Sequence, residues 1–380
     1  MPKTTSWNVG IQILRGIAAA LVVFHHSLEE SLSISTKIAP DWLIALGAGG
    51  VDIFFVISGF IIYSVTYGRD PRNPEPAPLF LLKRLIRIFP LYWICLLATL
   101  ALWSSGYFYR SLHIDAPVLG SSFFLLPSSK LIIGVAWTLI YEMYFYYLFS
   151  ITLYLRNARI SVLTTTGCIG AGLLLSNLLP AGELKHFLSN PIALEFCFGL
   201  ILSYFIHRQA LSGIWLRYLW LPGVMLMAAA AAFVENKYGS TAGPGANIRY
   251  LVWGLPALLV TVSFIKMRFD KSLLTRILLP IGDGSYSIYL THPMMMILFA
   301  FLIKYHFLTR IAYPIIWPLL FVVISIVVGV LVHYLIERPI LAWLRGCLRS
   351  LASVTKPRSN SLDAGRAGET KLILDAEKPL

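Results

Sequence analysis

The chain has 380 residues, of which 57% are hydrophobic and only 13% charged, with ten Trp, nineteen Tyr and a formal net charge of +13. A soluble globular chain carries about twice that charged fraction, so composition excludes an ordinary water-soluble fold and indicates a membrane-embedded one. The positive charge would suit nucleic acid as a partner, but its placement along the chain points to membrane topology instead.

A bilayer span takes about 20 apolar residues. Runs of that kind fall at 9 to 29, 45 to 67, 86 to 104, 131 to 154, 159 to 179, 189 to 207, 217 to 234, 248 to 265, 284 to 304 and 311 to 335. They predict an all-α integral-membrane bundle of about ten transmembrane helices. Basic residues crowd alternate connections. One set holds Arg69, Arg72, Lys83, Arg84 and Arg87, then Arg156 and Arg159, Arg208 and Arg217, and Lys266, Arg268, Lys271 and Arg276. The opposite set holds only Lys37, Arg110, Lys130, Lys185, Lys237, Arg249, Lys304 and Arg310. The positive-inside rule then places both termini in the cytoplasm, and no nucleic-acid partner is expected. The stretch from 341 to 380 contains Lys356-Pro357-Arg358-Ser359-Asn360-Ser361, has little apolar content from there until Leu372, and reads as a disordered cytoplasmic tail behind a membrane domain of residues 1 to 340. The four cysteines, Cys95, Cys168, Cys197 and Cys347, have no metal or redox spacing and read as packing residues; no metal site is expected.

The first run carries Arg15, His25 and His26, which marks it as a retained span rather than a signal peptide. Ionisable groups at membrane depth are costly and usually functional. From Arg15 to His26 is close to three helical turns, so the two share a face about 16 Å apart, with His25 about a quarter-turn aside.

Span two opens with Gly47-Ala-Gly49-Gly50-Val51-Asp52 and continues to Ser58-Gly59-Phe60. The glycines suit close helix packing. Asp52 fits two roles, an acid favoured by the helix dipole and an orienting partner for a histidine of span one.

Span three begins Lys83-Arg84-Leu-Ile-Arg87-Ile-Phe89-Pro90-Leu-Tyr92-Trp93. Arg84 and Arg87 project from one helix side, where two guanidinium forks can hold a polyanion such as the phosphates of coenzyme A. Positive-inside topology explains the same pair without any ligand.

Span four contains Trp137-Thr138-Leu-Ile-Tyr141-Glu142. A lipid-facing carboxylate there would cost several kcal/mol, so Glu142 must face the bundle interior. It either orients a histidine base or forms a structural pair with Arg15 or Arg87.

Span nine begins Gly282-Asp283-Gly284-Ser285-Tyr286-Ser287-Ile-Tyr289-Leu-Thr-His292-Pro293. Ser285, Tyr289 and His292 form an i, i+4, i+7 polar stripe toward the core, while Asp283 and Ser285 suit a helix start. The last motif, Ile336-Glu337-Arg338-Pro339, reads as a structural stop to span ten.

In this order these segments resemble the acyltransferase 3 family of integral-membrane carbohydrate O-acetyltransferases. The stretches that carry the resemblance are Leu14-Arg15-Gly16 with His26, Gly50-Val51-Asp52 with Ser58-Gly59-Phe60, and Arg84-Leu-Ile-Arg87 with Pro90-Leu91-Tyr92-Trp93. Trp137-Thr138-Leu139 with Glu142, Gly284-Ser285-Tyr286-Ser287 with His292, and Glu337-Arg338-Pro339 complete the set. The resemblance implies a multi-pass protein of the bacterial inner membrane that moves an acetyl group from cytoplasmic acetyl-CoA to a hydroxyl of an exported or surface carbohydrate, free or lipid-linked. It also implies His26 as the essential histidine, with His25 beside it, Arg15 as its required partner, and Arg84 and Arg87 on the acyl-CoA side with Trp137. It places the chain with members that have no esterase-like extension.

The mechanism that follows has a neutral His26 removing the acceptor proton, a step typically worth about 10² to 10⁴ in rate. Arg15 faces the donor or the developing oxyanion, and an acyl-histidine intermediate is the competing route. Intramembrane Arg, His and Glu would equally suit a proton-coupled carrier or a lipid-linked glycan flippase, or a scaffold whose polar groups only join helices.

Overall fold

Helix is the only regular structure among the described residues of the computed structural model, which are 6–34, 39–68, 70–106, 113–238, 248–270, 272–304 and 316–354. The elements are α1 Ser6–Ile34, α2 Asp41–Tyr67, α3 Ala77–Ser104, α4 Ala116–Phe124, α5 Trp137–Thr152, α6 Ala158–Leu175 and α7 Glu183–Ser189. They continue with α8 Leu194–His207, α9 Trp220–Tyr238, α10 Leu255–Lys266, α11 Leu273–Asp283, α12 Ser285–Lys304, α13 Ile316–Val332 and α14 Arg338–Val354. Side-chain caps start several of them. Asp115 accepts from the Val118 amide at 2.8 Å, Asn157 from Ile160 at 3.1 Å and Ser272 from Thr275 at 3.3 Å, each satisfying an amide that the first helical turn leaves open.

Five helical stretches are long and apolar enough to cross a membrane: Val9–Glu29, Asp41–Tyr67, Ala77–Ser104, Ala158–Leu178 and Ile316–Leu348. A sixth arises if Glu183–Ser189 and Pro191–His207, bent by 45°, count as one span. The expected spans four, seven, eight and nine fall on α5, α9, α10 and α12, of which Trp220–Phe233 and Tyr250–Lys266 are shorter apolar helices. Large apolar side chains cover the outside, with Leu174 75% and Leu335 72% exposed, as a lipid-facing surface requires. The chain is a multi-pass membrane protein.

Helix α2 is the central post, packed on α1 along one side and on α8 along another. Small residues make the α1 contact. A Cβ on Gly47 would stand 2.8 Å from the Cβ of His25, and one on Gly50 would stand 2.5 Å from the Ala18 carbonyl oxygen. With little hydrophobic drive between helices in lipid, such close backbone approach is what gains packing energy. On the other side, α2, α3, α5 and α8 enclose an aromatic core in which Phe55 lies 4.5 Å and Phe145 4.7 Å, ring to ring, from Phe196.

Two π turns interrupt the regular helices, Tyr250–Gly254 before α10 and His333–Glu337 between α13 and α14. The second corrects an expectation. Glu337-Arg338-Pro339 does not stop the helix, because the wider turn accommodates the amide that Pro339 lacks and the chain continues helically to Val354. Helix thus extends past residue 341, where the expected tail begins, and residues 355–380 lie outside the described residues.

Candidate functional site

Helix α1 delivers Arg15 at one level and His25 and His26 about three turns further on. The histidines occupy different environments. His25 Nδ1 donates to the Ile44 carbonyl of α2 at 2.7 Å, and its Nε2 lies 3.5 Å from Glu29 Oε2. His26 Nδ1 lies 3.0 Å from the Val22 carbonyl and 3.3 Å from Nε2 of His292. A carbonyl only accepts, so His26 carries its proton on Nδ1 and keeps the Nε2 lone pair open. His292 is fully buried, and the two rings are 5.0 Å apart. The structure therefore brings together the histidines of α1 and α12.

Arg15 opens onto a cavity of about 360 Å³ bounded by α1, α2, α3, α5, α12, the α13–α14 turn and α14. That size lies within the range of about 300–1,000 Å³ usual for small-molecule sites. Its wall carries Arg15, Lys83, Arg84, Arg87, Arg338 and Arg345 with the carboxylate of Glu142, and two of these cations are already paired, Lys83 with Glu75 at 2.6 Å and Arg87 with Glu337. An excess of guanidinium and ammonium groups in an otherwise apolar enclosure suits a ligand with several phosphates. Ser58, Thr138, Ser285, Tyr286 and Tyr289 supply polar points along the same wall.

Tyr289 links the cavity to the histidines. Its hydroxyl lies 2.7 Å from Thr138 Oγ1 and 2.8 Å from the Val135 carbonyl, and its ring is 5.8 Å from that of His292. With Ser285 and His292 it forms a fully or nearly fully buried stripe on α12. Asp283 ends α11 rather than starting a helix, and Ser285 opens α12.

Glu142 lies on the cavity wall with Arg15, Arg84 and Arg87, away from the hydrogen bonds of His26. It accepts from Ser58 Oγ at 3.4 Å and from the hydroxyl of Tyr146, one turn on in α5. The carboxylate that pairs with Arg87 is Glu337 instead. Trp137, expected on the donor side, is not among the residues that line the cavity. It packs edge-on against Phe55 and Tyr141, at 6.4 and 6.0 Å, while its neighbours Thr138 and Leu139 face the cavity.

Asp52 does not orient a histidine. Arg249 forks onto it, Nε to Oδ1 at 3.0 Å and Nη2 to Oδ2 at 2.8 Å, so the fully buried carboxylate is committed to a bidentate ion pair. Glu195 at the start of α8 is equally buried, with Asp52 and Arg249 as its electrostatic neighbours. A second buried network surrounds Glu337, which pairs with Arg87 and accepts from Ser287 Oγ at 2.6 Å and from His333 Nδ1 at 2.7 Å. Sequence reasoning missed Arg249, Glu195, His333 and the paired role of Glu337. The signal for the last was present: His333 and Glu337 are four apart in an apolar helix, a spacing that places both on one face.

The acyltransferase domain family matches residues 8–338, nearly the whole described chain. The chain is 33% identical over 273 residues to the exopolysaccharide production protein ExoZ of Rhizobium meliloti (strain 1021), a match that covers 65% of this chain and 76% of that protein. No solved structure matches it. The six motifs in order, the helical membrane architecture and a match spanning residues 8–338 place this chain in the acyltransferase 3 family, and it is an acyltransferase.

Proposed function

We propose that the protein takes an acetyl group from cytoplasmic acetyl-CoA and transfers it to a hydroxyl of an exported or surface carbohydrate, an exopolysaccharide or a similar glycan, in the bacterial inner membrane. One observation carries this reading: a single cavity gathers six cationic side chains and adjoins, through Tyr289, the buried His292 and its partly buried partner His26. The name of the Rhizobium relative supports a polysaccharide acceptor. The basic set of connections supports both termini on the cytoplasmic side, which is also the side on which Arg84 meets a cytoplasmic donor. The count of about ten spans is part of the same proposal, with α5, α9, α10 and α12 completing the five or six apolar helices.

The geometry supports the following division of labour. Arg84, Arg338 and Arg345 hold the phosphates of the donor, while Lys83 is paired with Glu75 at 2.6 Å. Arg15, about three turns from His26, helps hold the donor in the cavity rather than touching the reacting carbonyl. His26 Nε2 accepts the proton of the sugar hydroxyl as that oxygen attacks the thioester carbon. The carbon–sulfur bond breaks, and coenzyme A leaves as its thiol once the proton returns to sulfur. His292, holding Nδ1 of His26, fixes the tautomer that leaves Nε2 as the base.

The test is transfer of radiolabelled acetyl from acetyl-CoA by the detergent-purified protein to a carbohydrate acceptor. Labelled acceptor supports the proposal; intact acetyl-CoA in the presence of folded protein and of acceptor glycans from the host contradicts it. Label on the protein before acceptor is added would replace direct attack with an acyl-histidine route.

A further inference from the structure

Close to the base, three metal-ligating groups converge at one end of α1. One ring nitrogen each from His25 and His26 and a carboxylate oxygen of Glu29 all lie within 4.8 Å of one another. Hydrogen bonding has already fixed which nitrogens are open. Ile44 takes the Nδ1 proton of His25 and Val22 that of His26, so both rings keep an Nε2 lone pair. This is the arrangement in which a backbone carbonyl bonded to one ring nitrogen orients the other toward a metal. Between His25 Nε2 and Glu29 Oε2, two acceptors face each other at 3.5 Å. Two acceptors at that separation need a proton or a cation between them, and the distance is close to the ~3.3 Å edge of a tetrahedral zinc site built with bonds of about 2.0–2.1 Å. Glu29 is 45% exposed and His25 18%, so an ion has an entry path from solvent.

We infer that His25, His26 and Glu29 bind a divalent transition-metal ion of the Zn²⁺ class, and that the bound ion inhibits transfer by occupying the lone pair with which His26 acts. Two imidazoles and a carboxylate suit zinc or its neighbours rather than Mg²⁺ or Ca²⁺, which prefer oxygen ligands. The site is distinct in use from acyl transfer, since Glu29 takes no part in the reaction proposed above. The inhibition, though not the binding, rests on His26 being the base.

The experiment is a titration of the detergent-purified full-length protein with Co²⁺, followed by visible absorption, and with Zn²⁺ against a chromophoric chelator. The inference predicts one ion per chain, with affinity reduced tenfold or more in Glu29→Gln and in His25→Ala while their unfolding midpoints stay near that of the parent. Failure of the parent to bind saturably, or equal affinity in Glu29→Gln, overturns the site. A parallel acetyl-transfer assay reads the inhibition: Zn²⁺ slows the parent, EDTA restores it, and Glu29→Gln needs at least tenfold more Zn²⁺ for the same effect. Binding without slowing, or loss of activity on EDTA treatment, overturns the inhibitory role. If the parent transfers no acetyl at all, the proposed function fails while the metal titration still reports on the site.

Discussion

His26 Nδ1 lies 3.3 Å from His292 Nε2, so a histidine of the first helix and one of the twelfth share a hydrogen-bonding contact across 266 residues of sequence. His26→Ala is expected to reduce acetyl transfer by about 10²–10⁴-fold, the usual contribution of a general base. His25→Ala leaves the base in place and is expected to cost far less. His292→Gln, which removes the ring that holds His26, is expected to fall between them in kcat with little change in KM for acetyl-CoA. Steady-state kinetics on the three variants checks the order.

The cationic wall of the cavity makes a separate prediction for donor binding. Removing a charged hydrogen bond costs about 1.5–3 kcal/mol, which is roughly a 10- to 160-fold change in an equilibrium. Arg84→Ala is expected to raise KM for acetyl-CoA within that range, with a smaller effect on kcat. Arg84→Lys keeps the charge but loses the fork, and restores only part of the affinity. Raising the salt concentration is expected to weaken donor binding by the parent.

Glu337 is an internal anchor, and stability is where its loss is expected to show. Its side chain is 1% exposed and satisfies Arg87, Ser287 and His333 together. Taking away one partner of a buried pair costs about 3–5 kcal/mol because the other charge is left uncompensated. Glu337→Ala is expected to lower the unfolding midpoint in detergent strongly, and Arg87→Ala to do the same with an added loss of donor binding. An Arg87→Met, Glu337→Leu double variant is expected to recover much of the stability but not the activity.

The α1–α2 contact at the histidines has no room for a larger residue. At Gly50 a Cβ would meet the Ala18 carbonyl oxygen at 2.5 Å, and that atom belongs to backbone, which cannot rotate away. Overpacking of this kind costs about 1–3 kcal/mol. Gly50→Val is expected to lower stability by that amount or more and to reduce transfer by displacing α1. A thermal-unfolding series over Gly50→Ala and Gly50→Val reads the gradation.

Much of the architecture is legible in the chain because lipid imposes length and apolarity on each span, and α1, α2 and α3 fall where hydropathy places them. The individual ionisable residues are equally legible, since Arg15, His26, Glu142 and His292 are conspicuous in apolar surroundings. Their partners are not. Asp52 pairs with Arg249, 197 residues away, and Arg87 with Glu337, 250 residues away; helix packing decides such pairs, and no spacing rule reaches that far. Glu142 shows the same limit from the other side. Burial in the bundle follows from its cost in lipid, but which of several cations or rings it meets depends on how α5 rotates against α2 and α3. Trp137 and Thr138 make the point at one residue's resolution: a helical step of about 100° puts the first in the aromatic core and the second on the cavity wall.

The most direct measurement is the O-acetyl content and surface yield of the exported polysaccharide from a strain in which His26→Ala replaces the parent protein at equal abundance. Polymer exported in normal amount without its O-acetyl groups is the predicted result. Full acetylation would contradict His26 as the base, and loss of the whole polymer from the surface would contradict acyl transfer in favour of glycan export.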